Sequence, residues 1–375
     1  MKPLNNILVV SLEQAVAAPF CSVRLADAGA RVIKVERPEG DFARYYDKDV
    51  MGSSAYFVWL NRGKESLAID IKNKENMNLL KKIILNADVF IQNLAPGATD
   101  RVGIGSVEMR KKNRKLITCD ISGYGMSGPY KERKAYDLLV QAESGLCSLT
   151  GTPDESGRVG VSVCDIACGL NAYSAILQAL LVREKTKKGC GIEMSLFDGM
   201  AEWMNVPYLQ TVYGKKLLKR VGLSHPTIAP YGVFSTSCRT KILISIQNER
   251  EWKQLCNIVL KIDGLAENDK FNEPTKRVVN RKELDTIIAN EFIKYDKDYI
   301  IQNLTNAKIA FGVLNEINDL ENHPQLNKIK CLIDEKEIEL IAPPRMVINQ
   351  DIKKNKIPSI GENNEAIKNE FLNMK

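Results

Sequence analysis

Short apolar runs alternate with helical patterns along the first 120 residues of the chain. The run NILVVSL is apolar almost throughout, as is typical of a strand buried on both faces of a parallel sheet. PFCSVRLADAGA follows as a predicted helix, with Pro19 at its start and Gly29 at its end, and RVIKVER predicts the second strand. The alternation continues through NMNLLKKIILNA, DVFIQN, VEMRKKNR and KLITCDIS. The pattern predicts an α/β fold with a doubly wound, mainly parallel sheet.

The pattern changes near residue 210. YGVFSTSCRTKILISIQN predicts antiparallel strands around a turn, and three later segments predict helices: EREWKQLCNIVLK, RKELDTIIANEFIK and KDYIIQNLTNA. The last segment, with IAPPRMVI and the polar helix ENNEAIKNEFLN, is too short for a core of its own. We therefore predict a large domain beginning with residues 1–207, a smaller α+β domain at 208–324, and a return to the large domain at 325–375.

Composition and charge narrow the classes of function. The 375 residues include 44% hydrophobic and 26% charged residues, as in ordinary globular proteins, and no apolar run is expected to span a bilayer. Nine cysteines without C-x-x-C pairs indicate free thiols in a reducing cytoplasm, and the presence of only two histidines argues against a His-rich metal site. The basic clusters MRKKNRK and GKKLLKR lack interleaved aromatics, so no nucleic-acid partner is predicted. A net charge of +7 suits a small polyanionic ligand.

A glycine motif near residue 125 does not predict dinucleotide binding. Gly123, Gly125 and Gly128 have the G-x-G-x-x-G spacing, but Pro129 and the charged KERK follow where an apolar helix is required. The first predicted strand–helix turn, EQAVAAP, contains no glycine. SLFDG likewise lacks the glycine pair of a hydrolase nucleophile elbow.

A single carboxylate, Asp165, stands at the front of the long apolar segment VSVCDIACGLNAYSAILQALLVREK. Ile166, Leu170, Tyr173 and Leu177 recur at helical spacing, so the segment predicts a helix. Asp165 suits a helix N-cap. It also suits an ionised nucleophile, because small residues follow it and a helix N-terminus favours the charged form. These residues alone leave both interpretations open.

Several blocks together resemble the family III CoA-transferases: LEQAVAAPFCSVRLADAGARVIKVERPEGDFAR, WLNRGKES, NLAPGATDRVG, SGYGMSGPYKERKAYD, VCDIACG and SHPTIAPYGVF. The resemblance covers nearly the whole chain, in the order and spacing of that family. It is strongest to the subgroup that acts on C4–C5 dicarboxylic acids, such as itaconate, mesaconate and citramalate. It implies a Rossmann-like large domain, a small inserted domain, and a homodimer of two interlocked chains.

The resemblance also implies the chemistry. Asp165 matches the nucleophile of that family, which moves CoA from an acyl-CoA, here expected to be succinyl-CoA, to a small carboxylic acid. The reaction passes through mixed anhydrides and an aspartyl-CoA thioester. No permanently bound cofactor and no metal are expected, and coenzyme A enters as part of the substrate.

The family positions assign further residues. Three are expected to hold the nucleotide end of CoA: Arg37, Asn93 and Arg101. Two are expected along the pantetheine or thioester: Lys134 and Tyr136. Gln14 and Asp137 match positions near the acyl group, and the second carboxylate of a diacid needs a cation or donor, for which Arg44 and His225 are candidates. The alternatives without a function are surface ion pairs for Arg37 and Arg101, and an aromatic residue of the core for Tyr136.

Departures from related families bear on the alternatives. Gln14 and Val16 stand where formyl-CoA transferases have His and Gln, which argues against formate or oxalate as the acceptor. Tyr136 stands where α-methylacyl-CoA racemases have a His, and a phenol is a poor base at neutral pH. Carnitine and bile acids stay open as other acceptors. An intact Asp165 argues against a non-catalytic CoA-binding protein.

Overall fold

The computed structural model describes residues 2–344 and 355–373, which form two compact units. The large unit draws on the described residues within 1–147, 158–217 and 327–375. The small unit comprises Ser148–Gly157 and Leu218–Leu326.

Among the described residues, six parallel strands form the sheet of the large unit: β1 Leu8–Leu12, β2 Arg31–Glu36, β3 Glu65–Ala68, β4 Val89–Gln92, β5 Ile117–Ser122 and β6 Gly191–Ser195. Their order is β3-β2-β1-β4-β5-β6, and each neighbouring pair is parallel. The chain direction across the sheet reverses between β1 and β4, and ligands of such sheets bind in the crevice at this point. The predicted doubly wound α/β fold is confirmed.

Helices cover both faces of this sheet. The helices before residue 218 are α1 Ala17–Asp27, α2 Ala55–Leu60, α3 Lys74–Leu85, α4 Ala98–Arg101, α5 Ser106–Lys112, α6 Asp137–Glu143, α7 Leu146–Leu149, α8 Val163–Thr186, α9 Leu196–Trp203 and α10 Asn205–Val212. On one face, α1, α8 and α9 pack against alternate strand residues such as Val9. On the other, α3 and α5 pack against their neighbours, such as Val10. Because successive side chains of a strand point to opposite faces of the sheet, the core is divided into two layers.

The central helix α8 differs from one expectation. It is long and apolar enough, by length and composition, to cross a membrane, although no such segment was predicted. Ala167, Ala172 and Ile176 of this helix are buried in the core of the large unit, and the helix packs along α1. A core helix passes the same test of length and composition, so this feature is weak support for a membrane span.

The small unit combines an antiparallel sheet with helices, as the sequence predicts. Its strands, in the order β7-β8-β9, are β7 Tyr231–Ser235, β8 Lys241–Ser245 and β9 Ala310–Val313. Its helices are α11 Glu249–Gln254, continued by the π-helical Leu255–Leu260, then α12 Pro274–Val279, α13 Arg281–Phe292, α14 Lys297–Asn306 and α15 Ile317–Leu320. Trp252, Phe271 and Phe292 fill its core.

The C-terminal part of the chain completes the large unit. It contributes β10 Lys328–Ile333, β11 Lys336–Ile341, β12 Asn355–Lys356 and α16 Asn364–Asn373. Phe57 of α2 packs on the small sheet β11-β10-β12, while Ile367 and Phe371 of α16 are buried in the same core layer as α3. The predicted helix in ENNEAIKNEFLN is confirmed, whereas the second half of IAPPRMVI, residues 345–348, lies outside the described residues.

Candidate active site

Two loops meet at the carboxyl ends of β1 and β4, where the strand order reverses. Gln14 follows β1 and Asn93 follows β4. The Gln14 backbone N–H donates to Asn93 Oδ1 at 2.9 Å, and Asn93 Nδ2 donates to the Gln14 carbonyl at 2.8 Å. This pair of bonds joins the loops across the crevice. The Asn93 amide thus fixes the backbone of Gln14, and its predicted contact with CoA stays a prediction.

The next residue, Ala15, adopts a left-handed backbone with φ of 62°. Alanine disfavours this region, so surrounding contacts must hold it there. Its N–H donates to Asp41 Oδ1 at 3.1 Å, and the same oxygen accepts the Ala43 N–H at 3.0 Å. Asp41 therefore positions the loop beside the crevice. We did not identify it from the sequence.

A buried ionic network supports Asp41 from behind. Lys34 Nζ lies 2.8 Å from Asp41 and 3.5 Å from Glu13, and Lys64 lies 2.6 Å from Glu13. All four side chains are buried. Burial alone would raise the pKa of Glu13, but the charges of Lys64 and Lys34 outweigh it and lower that pKa to about 2. The lysine in the middle of the predicted strand RVIKVE was the available signal, because a buried ammonium requires acidic partners.

The N-terminus of α8 is capped from another helix. Its N-cap residue, Ser162, makes no side-chain capping bond. Instead Asp137 Oδ1, from α6, accepts the backbone N–H groups of Cys164 at 2.8 Å and Asp165 at 3.3 Å. Asp165 is the third residue of α8, so the interpretation of Asp165 as the N-cap is wrong. Its side chain is left available for other chemistry.

A glycine lets α8 approach α1 closely. A Cβ atom at Gly169 would lie 2.6 Å from the Ala17 carbonyl oxygen and 3.1 Å from Phe20 Cβ. A larger residue would push the helices apart, because neither the Ala17 backbone nor the Phe20 side chain can move away without disturbing α1. The close approach brings Asp165 to the loop that joins β1 to α1.

Asp165 and most of the predicted site residues line one cavity of the large unit, with a volume of about 620 Å³. Besides Asp165, five residues predicted from the sequence line it: Gln14, Asn93, Lys134, Tyr136 and Asp137. Three aromatic residues that we did not predict also line it: Phe42, Tyr46 and Tyr56. The cavity holds two arginines as well, Arg133 and Arg158.

Four predicted site residues lie elsewhere. Arg37 and Arg101 are exposed and do not line this cavity. Arg44 donates to Glu36 at 2.7 and 2.9 Å and to the Pro358 carbonyl at 3.2 Å. Its guanidinium also lies over the Phe57 ring, 3.6 Å from the centroid. His225 belongs to the small unit, where its ring stacks on Tyr231. The roles assigned to these four residues stay predictions.

The pKa of Asp165 differs from the sequence expectation. Burial, and then the negative charge of Asp137, raise the pKa of Asp165 to about 7. The helix N-terminus was expected to keep this pKa low. The effects of burial and of the like charge on this pKa outweigh that of the helix N-terminus. The ionised, nucleophilic form therefore accumulates only as the pH approaches and passes 7.

Within residues 2–344 and 355–373, no group of three or more His, Cys, Asp or Glu side chains is arranged to hold a metal ion. The chain's two histidines, His225 and His323, do not line the Asp165 cavity. The chemistry available at this site is therefore that of carboxylates, tyrosines and cations.

Comparison with known proteins gives related sequences over most of the chain. A succinyl-CoA:glutarate CoA-transferase of Mus musculus is 34% identical over 87% of this chain and 75% of its own length. An acetyl-CoA:oxalate CoA-transferase of Acetobacter aceti is 31% identical, covering 98% of this chain and 96% of that protein. A succinyl-CoA:mesaconate CoA-transferase of Haloarcula hispanica is 28% identical over 89% and 86%. The resemblance to the dicarboxylate subgroup is thus confirmed.

A solved structure gives the same answer for the fold. The crystal structure of a CAIB/BAIF family protein from Brucella suis matches with a TM-score of 0.89 and 34% identity, covering 99% of both chains. The model of CoA-transferase family III matches residues 4–364. The carboxylate site at the crevice and this match agree: the chain belongs to CoA-transferase family III and is an enzyme that transfers CoA.

Proposed function

We propose that the protein transfers CoA from succinyl-CoA to a C4–C5 dicarboxylic acid, with Asp165 as the nucleophile. The observation that carries the proposal is the position of Asp165, whose side chain lines the cavity at the switch point and is not used as a helix cap. The names of the glutarate and mesaconate relatives support succinyl-CoA as donor and diacids as acceptors.

In the first half-reaction, the ionised Asp165 attacks the thioester carbonyl of the donor. The C–S bond breaks, CoA leaves as a thiolate, and a mixed anhydride joins Asp165 to the donor acid. The thiolate then attacks the Asp165 carbonyl carbon. The donor acid leaves as its carboxylate, and Asp165 carries CoA as a thioester.

The second half-reaction reverses these steps with a new acid. The acceptor carboxylate attacks the aspartyl thioester and expels the thiolate, which gives a second mixed anhydride. The thiolate attacks the acceptor carbonyl of this anhydride, and Asp165 returns as a carboxylate. Each step exchanges one acyl bond for another of similar energy, so the chain need supply no redox group or metal.

The acceptor is tested with purified protein, succinyl-CoA and a panel of acids, by following each new acyl-CoA by mass spectrometry. We expect glutarate, itaconate, mesaconate or citramalate to outrun monocarboxylates of equal length by about 10²-fold, because a site built for a second carboxylate rejects acids that lack it. Formate, carnitine or a bile acid outrunning every C4–C5 diacid would contradict the proposal.

Oxalate is the second candidate acceptor, because the Acetobacter aceti relative uses it by name and matches nearly the whole chain. Oxalate belongs in the same panel, with acetyl-CoA as an additional donor. Racemase activity is disfavoured, because Tyr136 lines the cavity and neither histidine of the chain does, so a histidine base is lacking there. Deuterium exchange at the α-carbon of a 2-methylacyl-CoA measures it directly, and we expect none.

The reaction should accelerate with pH. Because the pKa of Asp165 is raised to about 7, the free enzyme holds more nucleophilic carboxylate at each step from pH 5.5 to 7.5. We expect kcat/KM for succinyl-CoA to rise up to about tenfold per pH unit below 7 and to level off above it. A flat profile from pH 5.5 to 8 would show that Asp165 ionises well below 7.

Arg101 and Arg37 are proposed to contact the nucleotide end of CoA, as the resemblance implies. Their exposed side chains leave the guanidinium groups accessible to phosphates. Arg101→Ala is expected to raise KM for succinyl-CoA by about 10–100-fold with little change in kcat, since the contact is far from the reacting carbon. A fall in kcat at unchanged KM would contradict this role.

We infer a homodimer of interlocked chains, as the resemblance implies. Several apolar side chains of α8, α9, α10 and the following segment are exposed within one chain: Leu181, Val182, Trp203, Val206, Leu209 and Leu217. A second copy would cover such a surface. Sedimentation should give a dimer, and Val206→Asp should weaken it more than Val279→Asp, which alters an exposed valine of the small unit. An active monomer at nanomolar concentration would refute the dimer.

We further infer a cytoplasmic protein. Its nine cysteines are all free, and a reducing compartment keeps thiols in that state. Fractionation of cells that express a tagged copy measures this, and recovery in the membrane pellet would contradict it.

A further inference from the structure

The cavity around Asp165 contains three cationic side chains, and they differ in what they already bind. Arg133 lies 2.8 Å from Glu143 and stacks over the rings of Tyr124 and Tyr130. Lys134 matches the family position at the thioester. Arg158 donates only a long bond of 3.4 Å to the Gly160 carbonyl, and it has no carboxylate partner within the described residues. Arg158 is therefore the arginine of this cavity that is free to bind an anion.

The backbone next to Arg158 is linked to the backbone of Asp165 through the side chains of Gln141 and Asp137. Val159 N–H donates to Gln141 Oε1 at 2.9 Å, and Gln141 Nε2 donates to the Val159 carbonyl at 3.3 Å. The same Nε2 donates to Asp137 Oδ2 at 2.7 Å, while Asp137 Oδ1 accepts the N–H of Asp165. Gln141 is fully buried. A hydrogen-bonded chain through the buried Gln141 thus sets the spacing between residue 159 and Asp165.

A dicarboxylic acid makes two demands on this cavity. One carboxylate must reach Asp165, and the other must find a cation or donors, because a desolvated and unpaired carboxylate is unfavourable. A guanidinium can meet a carboxylate with two parallel N–H···O bonds, which also fixes its orientation. Arg44 is engaged by Glu36 and Pro358, and neither Arg44 nor His225 lines this cavity.

We propose that Arg158 binds the remote carboxylate of the dicarboxylic acid and so determines the acceptor specificity, an inference that rests on the proposed function. The acceptor lies with its reacting carboxylate at Asp165 and its second carboxylate at the Arg158 guanidinium. Gln141 and Asp137 act as positioning residues, because they hold the two ends of this arrangement at a fixed spacing. Arg158 discriminates between acids without taking part in the acyl transfer itself.

A competition experiment separates this role from general effects on activity. Wild type, Arg158→Gln, Arg158→Lys and Arg133→Gln receive succinyl-CoA with an equimolar mixture of glutarate and valerate, which have equal chain length. Both acids compete for the same aspartyl-CoA thioester, so the ratio of glutaryl-CoA to valeryl-CoA gives the ratio of their kcat/KM values. Slower formation of the thioester in a variant leaves this ratio unchanged.

We expect Arg158→Gln to lower the ratio by about 10–100-fold, the effect of one charge-assisted contact, mainly through a higher KM for glutarate. Arg158→Lys should keep part of the preference, since it keeps the charge but loses the planar pair of donors. Arg133→Gln should change the ratio by less than about threefold, because Arg133 already pairs with Glu143 and lies over two tyrosine rings.

Three outcomes overturn the proposal. The first is a ratio in Arg158→Gln within about threefold of wild type. The second is an equal reduction of the ratio in Arg133→Gln, which would indicate a diffuse effect of charge. In both cases the proposed function stands if the wild type forms glutaryl-CoA. If the wild type forms no thioester of any C4–C5 diacid, the proposed function fails and this inference fails with it.

Discussion

Asp165→Ala is expected to lower CoA transfer by at least about 10³-fold while the protein keeps its fold, because the variant lacks the carboxyl group that carries first the acyl group and then CoA. The side chain makes no capping bond to α8, whose first N–H groups are bound by Asp137. Removing it therefore leaves the helix N-terminus intact. Circular dichroism should be unchanged, and full activity in this variant would exclude Asp165 as the nucleophile.

Asp165→Asn is the sharper variant, because it keeps the shape and removes the charge. An amide is a poor nucleophile, so nearly the same loss is expected. Asp298→Asn is the matched control, since Asp298 also lies in the first turn of a helix but does not line the cavity. In the wild type, succinyl-CoA should produce a thioester that borohydride reduces at Asp165. A label that maps to another residue would disprove the mechanism.

The same pair of proteins tests why the pKa of Asp165 is high. Because the folded protein raises that pKa from its ordinary value near 4 to about 7, it binds this proton more tightly than the unfolded chain does. The contribution to stability is present below pH 4 and is lost as the pH rises through 7. The amide of Asp165→Asn does not ionise, so this variant does not lose stability as the pH rises through 7. Its free energy of unfolding should therefore exceed that of the wild type more at pH 8 than at pH 5. An equal difference at both values would contradict the burial of an isolated charge.

The elements with strong patterns were predictable from sequence, and the exceptions have physical reasons. The strand β1 is apolar almost throughout because helices cover both faces of the sheet. The strand β3 was missed because it lies at the edge of the sheet, where a four-residue segment with a single large apolar residue, Leu67, suffices. The π-helical turn at Leu255–Leu260 continues the apolar spacing of α11, so its altered hydrogen bonding leaves no separate sequence signal.

The site was only partly predictable, because sequence indicates which residue types are available and not how they pair. Arg44 and Asp41 stand three residues apart in GDFAR, and charge alone makes either a candidate ligand. The short 3₁₀ turn at Phe42–Tyr45 lets Arg44 pair with Glu36, while Asp41 points to Lys34 and Ala15. Neither arrangement follows from periodicity. Arg158 passed unnoticed because it stands in a polar segment without a pattern.

Lys34→Met is expected to lower the free energy of unfolding by about 3–5 kcal/mol, the typical effect of removing one partner from a buried ion pair. The methionine fills much of the same volume, but Asp41 loses the one cation within 4 Å of it among the described residues. Glu13 keeps Lys64 at 2.6 Å, so most of the loss falls on Asp41. The loop at Ala15 should loosen with it, which would raise KM for both substrates.

Two further variants serve as controls for this measurement. Lys112→Met removes an exposed ion pair with Glu108 at 3.2 Å and should change stability by less than about 1 kcal/mol. The double variant Lys34→Met with Asp41→Asn should lose less stability than the sum of the single changes, because the asparagine carbonyl still accepts the Ala15 N–H without leaving a buried charge. Denaturant unfolding of all four variants gives the coupling energy. Strict additivity of Lys34→Met and Asp41→Asn would show that the pair contributes nothing to holding the loop.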